Sequence, residues 1–203
     1  MPLVRRGTTT PPTSEAAPPS RADLEAVDAH VRRGAARRLS VDPGAADALG
    51  RAFGVEGDPS VREAILAALV RIGGVRAVEA VLPYLRSDDA ALRTGALDVL
   101  KSLPESVECL PALLDDPDAD LRVLAAEVAR AMPNGAALLC RRLLHEHDPN
   151  VCAAALDVLA EIGGPDCLPS LQVCAERYVS EPFLRYAVAT AVARIGGSQA
   201  PGS

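Results

Sequence analysis

Apolar positions recur along residues 28–197 in units of about 30 residues. Each unit has an apolar anchor residue, and these anchors are Val31, Val61, Leu92, Leu121, Val151 and Leu184. Arg follows the anchor in five of the six units. Further apolar residues stand four, five, eight and eleven positions after the anchor, so they share one side of an α-helix. The pattern therefore predicts one amphipathic helix, called helix A, in every unit.

Polar residues mark where each helix A begins. An acidic residue stands three positions before every anchor, namely Asp28, Asp58, Asp89, Asp118, Asp148 and Glu181. A carboxylate at this position accepts hydrogen bonds from the first backbone N–H groups of a helix and interacts favourably with the positive end of its dipole. Pro follows the acid in three units, at Pro59, Pro149 and Pro182, where it suits the first helical residue.

A second, shorter amphipathic helix, called helix B, is predicted after helix A. Glycine pairs at residues 73–74, 163–164 and 196–197 predict left-handed ends of helix A. The predicted B helices cover residues 75–85, 107–114, 136–144 and 165–179. One such hairpin cannot bury its apolar side alone, so neighbouring units must stack. The sequence predicts an all-α, right-handed α-solenoid of about six hairpins, the last incomplete with helix A at 183–195.

The two ends of the chain lack this periodicity. Residues 1–20 are rich in Pro, Thr and Ser and predict a disordered arm, because such a segment cannot bury enough apolar surface to offset its ordering entropy. Residues 21–197 form the predicted repeat domain, and residues 198–203 a flexible C-terminus.

The repeat motif resembles that of a known family. The opening Asp58-Pro59-Ser60-Val61-Arg62, followed by Ala-rich apolar positions and Ile-Gly-Gly, is similar to the HEAT-like repeats of bacterial proteins. The short unit is most similar to the bilin-lyase type. Tetratricopeptide units carry Trp and ankyrin units a Thr-Pro-Leu-His turn, and both features are absent here. The resemblance covers residues 28–197 and implies a stack of A/B hairpins.

The resemblance also implies a ladder of repeated acidic and Arg residues along the stack. Its members here are Asp28, Arg32, Asp58, Arg62, Asp89, Arg93, Asp118, Arg122, Asp148, Glu181 and Arg185. Cys152 breaks the series. The arginines could form a row of cations for an anionic partner or could bond structurally to neighbouring helix caps. The acid in every unit favours the structural interpretation.

Composition excludes several function classes. The net charge is −6, Trp is absent, and only two Phe and three Tyr occur, so neither a basic footprint nor an aromatic stacking platform for nucleic acid is present. No apolar run approaches the roughly 20 residues that span a membrane. Five Cys without a CxxC pair, and no secretory signal, predict reduced thiols in a cytoplasmic protein.

Two clusters could carry chemistry. His145-Glu146-His147-Asp148 is a group of metal-type ligands, but HEAT-like di-iron enzymes place several His-Glu pairs on symmetric helices, and a catalytic metal needs about three protein ligands. A polar turn is the favoured interpretation. Cys167 and Cys174 share one helix face and are expected to pack as small apolar residues. The sequence therefore predicts no catalytic residue, no metal site, no cofactor and no enzyme.

The candidate binding surface lies on helix B, which lines the concave side of HEAT-like stacks. Arg and Tyr are enriched at protein interfaces. The candidate partner-binding residues are Tyr84, Arg86, Arg141, Arg142, His145, Arg177 and Tyr178. Scattered solvated side chains are the alternative interpretation.

The sequence thus predicts a non-catalytic protein-protein interaction module, a scaffold or adaptor that binds another protein and no nucleic acid or membrane. The overall likeness suggests a bacterial sensory or chemotaxis signalling system. A bilin chromophore lyase, or its non-catalytic partner subunit, is the alternative. A monomer is expected, because the outward positions of the last helix A include small residues, namely Ala189, Thr190 and Ala193.

Overall fold

The computed structural model describes residues 20–197, and all regular structure in this range is helical. The α-helices are α1 (Ala29–Leu39), α2 (Ala46–Val55), α3 (Pro59–Ile72), α4 (Gly74–Val81), α5 (Ala90–Ser102), α6 (Leu110–Leu114), α7 (Ala119–Arg130), α8 (Gly135–Leu143), α9 (Pro149–Ile162), α10 (Leu168–Arg177) and α11 (Pro182–Gly197). Short 3₁₀ turns cover Arg21–Glu25, Pro43–Ala45, Leu82–Arg86, Pro104–Val107 and Pro165–Cys167. Odd-numbered helices are the A helices and even-numbered helices the B helices.

The helices form two layers. Each A helix packs on the next one, from α1 to α11, and the B segments pack on one another behind them. Burying the apolar side of every hairpin against its neighbours is what stabilises such a stack. The predicted all-α solenoid is confirmed. No helix within residues 20–197 is both long enough and apolar enough to cross a membrane.

The predicted terminal segments lie almost entirely outside the described residues. Of the arm predicted for residues 1–20, only Ser20 is described, and its hydroxyl accepts a hydrogen bond from the Ala22 N–H at 3.3 Å. The predicted C-terminal segment 198–203 is not among the described residues.

The A helices begin where the acidic residues indicate. The cap carboxylates accept hydrogen bonds from backbone N–H groups two residues later, namely Asp28 from His30, Asp58 from Ser60, Asp89 from Ala91, Asp118 from Asp120 and Asp148 from Asn150. Glu181 precedes α11, and its backbone carbonyl accepts from the Arg185 N–H at 3.0 Å. Pro59 and Pro149 lie at the first helical turn, as does Pro182. Local chemistry therefore fixes the start of each A helix.

Three of the four predicted B helices are more fragmented than the sequence pattern predicts, whereas the helix predicted at 136–144 corresponds to α8. Predicted helix 75–85 is divided into α4 and a 3₁₀ turn, predicted helix 107–114 contains only the short α6, and predicted helix 165–179 begins with a 3₁₀ turn before α10. Pro83, Pro111 and Pro169 each lie at the start of the new segment. Proline has no N–H to donate and restricts the residue before it, so the helix restarts at that point.

The prediction of left-handed glycines is correct in one unit and wrong in two. Gly73 and Gly74 have φ values of 64° and 75°. Gly163 has a φ of −71°, and Gly196 and Gly197 stay within α11. Gly163 is needed for close approach instead, because a Cβ there would lie 2.3 Å from the Leu159 carbonyl oxygen.

The core is built mainly from Ala, Val and Leu. The anchors of the second to sixth units are all buried, whereas Val31 in the first unit is 38% exposed. Among the described residues, the 3₁₀ turn Arg21–Glu25, with its buried Leu24, packs on α1 from that side. The first unit therefore has a smaller apolar contact than the units that follow it.

Candidate partner-binding groove

In the first four units, the arginine after the anchor holds the loop that precedes its own A helix. In four units its guanidinium donates to the carbonyl six residues earlier, namely Arg32 to Ala26, Arg62 to Glu56, Arg93 to Ser87 and Arg122 to Asp116, at 2.6–2.9 Å. Arg185, on α11, is exposed. The four arginines are engaged with the chain itself, so they do not form a free row of cations.

A second row of polar residues was missed by the sequence analysis. Two positions before the cap, a side chain accepts the N–H of the cap Asp, namely Glu56, Ser87, Asp116 and Glu146, at 2.8–3.2 Å. The signal that could have revealed it is an acid or Ser spaced two residues before four of the cap aspartates. This second acceptor orients the loop before the helix begins.

Two-point bonds between units join an arginine to a glutamate of this second row. Arg32 contacts both Glu56 carboxylate oxygens at 2.7 and 2.8 Å. Arg122 contacts both Glu146 oxygens at 2.9 and 3.2 Å. The bonding to neighbouring caps that the sequence analysis favoured appears between Arg62 and Asp89, at 3.9 Å. In two units the inter-unit partner is therefore the glutamate before the cap.

Glu146 is the centre of the most elaborate of these loops. Its carboxylate is 2% exposed and accepts from Arg122, from Arg142 at 2.7 Å and from the N–H groups of His147 and Asp148 at 2.9 and 2.8 Å. Burial raises its pKa, but the hydrogen bonds from Arg122, the Asp148 backbone and Arg142 outweigh burial and hold the pKa at about 2. Glu146 is therefore ionised and fully engaged.

The carbonyls around Glu146 are also bound, and here Cys152 replaces the usual arginine. The Cys152 thiol lies 3.7 Å from the Glu146 carbonyl, the position that a ladder arginine would contact. Arg177 of α10 reaches the same carbonyl at 2.5 Å, and also the carbonyls of Leu143 and Leu144. The Tyr178 hydroxyl donates to the His147 carbonyl at 2.6 Å. Residues 143–148 with these partners are called the Glu146 junction.

The seven candidate partner-binding residues lie in different surroundings. Tyr84 donates to the Gly50 carbonyl at 2.7 Å and packs edge-on against Phe53, with ring centroids 5.1 Å apart. Arg86 pairs with Asp116. Arg142, Arg177 and Tyr178 belong to the Glu146 junction. Arg141 and His145 are exposed, and no described side chain bonds to either of them.

The structure brings Arg141, Arg142 and His145 together at a groove between α6 and α8. This B groove has a volume of about 480 Å³ and is lined by Pro111, Leu114, Asp115, Leu138, Arg141, Arg142, Leu144 and His145. The Arg142 guanidinium is bound to Glu146 and, at 3.1 Å, to Asp115. Among the described lining residues, Arg141 is therefore the cation whose charge no acid compensates.

The other chemical candidates are occupied by structural roles. Glu146 binds two arginines and Asp148 caps α9, so both carboxylates of the His-Glu-His-Asp segment already have partners. Within residues 20–197, no three His, Cys, Asp or Glu side chains are grouped to hold a metal ion. Cys167 and Cys174 lie in the core. The B groove, with apolar walls and a free guanidinium, suits binding of an apolar side chain beside a carboxylate.

A match to a known protein family agrees with this architecture. The family described as HEAT repeats matches residues 107–178. No curated protein sequence is detectably similar to the chain. Two solved engineered proteins are 20% and 17% identical, each covering 87% of this chain and 95% and 97% of their own, with TM-scores of 0.42 and 0.44.

A designed armadillo repeat protein is 15% identical over 86% of this chain and 98% of its own, with a TM-score of 0.39. Because all three TM-scores are below 0.5, the assignment depends on the family match and on the helices themselves. The matched segment spans α6 to α10, and the same hairpin recurs before it and begins again after it. The chain therefore resembles HEAT repeat proteins, and residues 107–178 match their family.

Proposed function

We propose that this protein is a non-catalytic interaction module that binds a partner protein through the B groove. The observation that carries the proposal is the uncompensated Arg141 beside the apolar groove wall. HEAT-like stacks offer extended binding surfaces to protein partners. Arg is enriched in the energetically dominant positions of such interfaces. The partner segment that fits best has an acidic residue next to an apolar one.

The charge distribution favours short-range recognition. The chain as a whole carries a net charge of −6, so it does not attract an acidic partner from a distance. Charges separated by more than about 8 Å are largely screened at physiological salt. A carboxylate that reaches Arg141 lies within this range and can form a charge-assisted hydrogen bond. A partner that places no acidic residue near Arg141 gains no binding energy from the charge of the groove.

The Glu146 junction supports the groove from beneath. Arg142 is fixed by Asp115 and Glu146, and Arg177 binds the carbonyls of Leu143 and Leu144. Leu144 and His145 of the groove are part of this bonded segment. A groove that is already ordered before binding loses less conformational entropy when the partner docks. The junction therefore raises affinity by ordering the groove before the partner docks.

The pathway in which this protein acts is also part of the proposal. A cytoplasmic adaptor in a bacterial sensory or chemotaxis pathway is consistent with the resemblance that the repeats show. A bilin lyase role is the alternative, and no described contact favours it. Co-expression with a phycobiliprotein subunit and bilin would yield a coloured adduct only if the alternative is correct.

A selection from displayed random peptides tests the proposal. We expect the full chain to enrich peptides in which an acidic residue neighbours an apolar one. Arg141→Glu should weaken their binding about tenfold, the equivalent of ~1.4 kcal/mol, because the carboxylate then faces a like charge. The matched control is Arg71→Glu, which reverses another exposed arginine, at the end of α3. Equal binding to both variants, or equal loss in both, would place the binding surface elsewhere.

A further inference from the structure

Two of the chain's five aromatic residues stand on the surface of α11. Phe53 and Tyr84 pack on each other, and Tyr178 bonds to the Glu146 junction. Phe183 and Tyr186, in contrast, are 69% and 73% exposed. Residues three apart lie on the same side of a helix, so the two rings form one apolar projection. The small outward residues of this helix dominate its sequence pattern, and that pattern did not indicate the aromatic projection.

The other units show that the fold does not need aromatic residues at these positions. Phe183 lies one residue before the anchor of its unit and Tyr186 two residues after it. The equivalent pairs are His30 and Arg33, Ser60 and Glu63, Ala91 and Thr94, Asp120 and Val123, and Asn150 and Ala153. None of these residues is Phe, Tyr or Trp, and most of them are polar or small. Packing between repeats therefore does not require the aromatic pair.

A hollow between α9 and α11 is lined in part by the two rings themselves. It has a volume of about 190 Å³ and is lined by Ala153, Leu156, Asp157, Ala160, Phe183, Tyr186, Ala187, Thr190 and Arg194. The same surface therefore carries both an aromatic projection and a shallow recess. A two-fold symmetric contact requires one patch that is complementary to itself, and this patch has both halves of such a contact.

We propose that a second copy of this chain docks on this surface, with the two α11 helices antiparallel and the two-fold axis near Ala187 and Thr190. In that arrangement Tyr186 of each copy enters the hollow of the other. Arg194 follows Phe183 by eleven residues, or about 16 Å along the helix, so antiparallel pairing brings Arg194 to Phe183 of the second copy. An Arg guanidinium over an aromatic face is attractive.

The contact area indicates a weak, reversible dimer. Four aromatic side chains burying about 150 Å² each supply roughly half of the ~1,200 Å² that stable interfaces bury. The α11 surface shares no lining residue with the B groove. A dimer formed through α11 leaves one B groove on each copy, so a partner with two acidic segments would bind with increased avidity. Because of this surface, we expect a monomer–dimer equilibrium in place of the monomer that the sequence predicts.

Sedimentation equilibrium of the full chain over a range of concentrations tests the proposal. The weight-average mass should rise with concentration toward that of two chains. Phe183→Ser with Tyr186→Glu transfers the residues of the second unit, Ser60 and Glu63, to α11, so the helix should be retained. This variant should stay monomeric with an unchanged circular dichroism spectrum. A second variant, Arg194→Glu, should raise the dissociation constant about tenfold by removing the cation–π contacts.

Arg141→Glu is the matched control, because it removes the proposed partner contact in the B groove and should dimerise like the unmodified chain. Failure of the B groove proposal and failure of the dimer proposal are thereby distinguished. A chain that is monomeric at all concentrations would overturn the inference. Dimers that persist unchanged in the double variant and in Arg194→Glu would overturn it as well.

Discussion

The loops around Glu56 and Glu146 are built from the same local motif but differ in what surrounds it. Each glutamate lies two residues before a cap aspartate, accepts that residue's N–H at 2.8 Å and binds an arginine 24 residues earlier. Glu146 additionally binds Arg142, whereas the described contacts of Glu56 include only Arg32 as a cationic partner. Helix α8 of the B layer therefore supplies a second cationic partner, Arg142, to Glu146 but not to Glu56.

The backbone carbonyls of the two glutamates differ in the same way. Arg62, the arginine of the A helix that follows, binds the Glu56 carbonyl at 2.6 Å. At Glu146 the equivalent residue is Cys152, and Arg177 from α10 binds the carbonyl instead. At Glu56 the carbonyl is bound locally, by the A helix that follows it. At Glu146 it is bound by a more distant helix, α10. The loop beside the B groove is consequently tied to both layers of the stack.

The largest expected effect comes from removing the two glutamates. Glu146→Ala should lower the free energy of unfolding by about 3 kcal/mol, because it leaves two arginines without their buried partner. Glu56→Ala should cost about 1.5 kcal/mol, since one less deeply buried arginine is affected. Urea unfolding of both variants measures the difference. Equal losses would show that Arg142 adds nothing to the motif.

A smaller effect should follow from removing Arg177. Arg177→Ala leaves the carbonyls of Leu143, Leu144 and Glu146 without this donor, and we expect a loss of about 1.5 kcal/mol. Arg141→Ala is the control, because an exposed side chain with no described partner should change stability by less than about 0.5 kcal/mol. Similar unfolding midpoints for the two variants would contradict the role assigned to Arg177.

A further expected effect is a change in the pH dependence of stability. Glu146 has a folded-state pKa of about 2 against an ordinary value of 4.5, so its ionised form stabilises the folded protein above the ordinary value. This contribution is lost as pH falls through the folded-state pKa. The stability difference between the unmodified chain and Glu146→Gln should therefore be larger at pH 7 than at pH 3, as measured by urea unfolding. A difference independent of pH would mean that the carboxylate's charge is not what the arginines recognise.

The A helices could be predicted from the sequence because their signals are local. Apolar spacing, an acidic cap and an early proline all lie within one unit and agree with one another. Three of the four predicted B helices were too long, because Pro83, Pro111 and Pro169 lie within apolar stretches whose periodicity continues through them. The prediction of a left-handed backbone failed at Gly163 for a similar reason. Glycine is used both where the backbone is left-handed and where another group approaches closely, so the sequence does not distinguish the two cases.

The candidate site was only partly predictable. Arg141, Arg142 and His145 lie near one another in sequence and do line one groove. Arg177 lies about 30 residues further along the chain, and its bonds to the Leu143–Glu146 carbonyls depend on how α10 packs against α8. Contacts of this kind depend on the stacking geometry, which residue spacing within one unit does not specify. Exposure of Phe183 and Tyr186 likewise becomes evident only once α11 is placed against α9.

The central claim is that the B groove, supported by the Glu146 junction, is where the partner docks. Hydrogen exchange of the full chain, with and without an acidic peptide selected by display, tests this most directly. The account predicts added protection in α6 and α8, with α1 and α3 unchanged, and loss of that protection in Arg141→Glu. Protection confined to α1 and α3, or protection of α6 and α8 that persists in Arg141→Glu, would contradict the account.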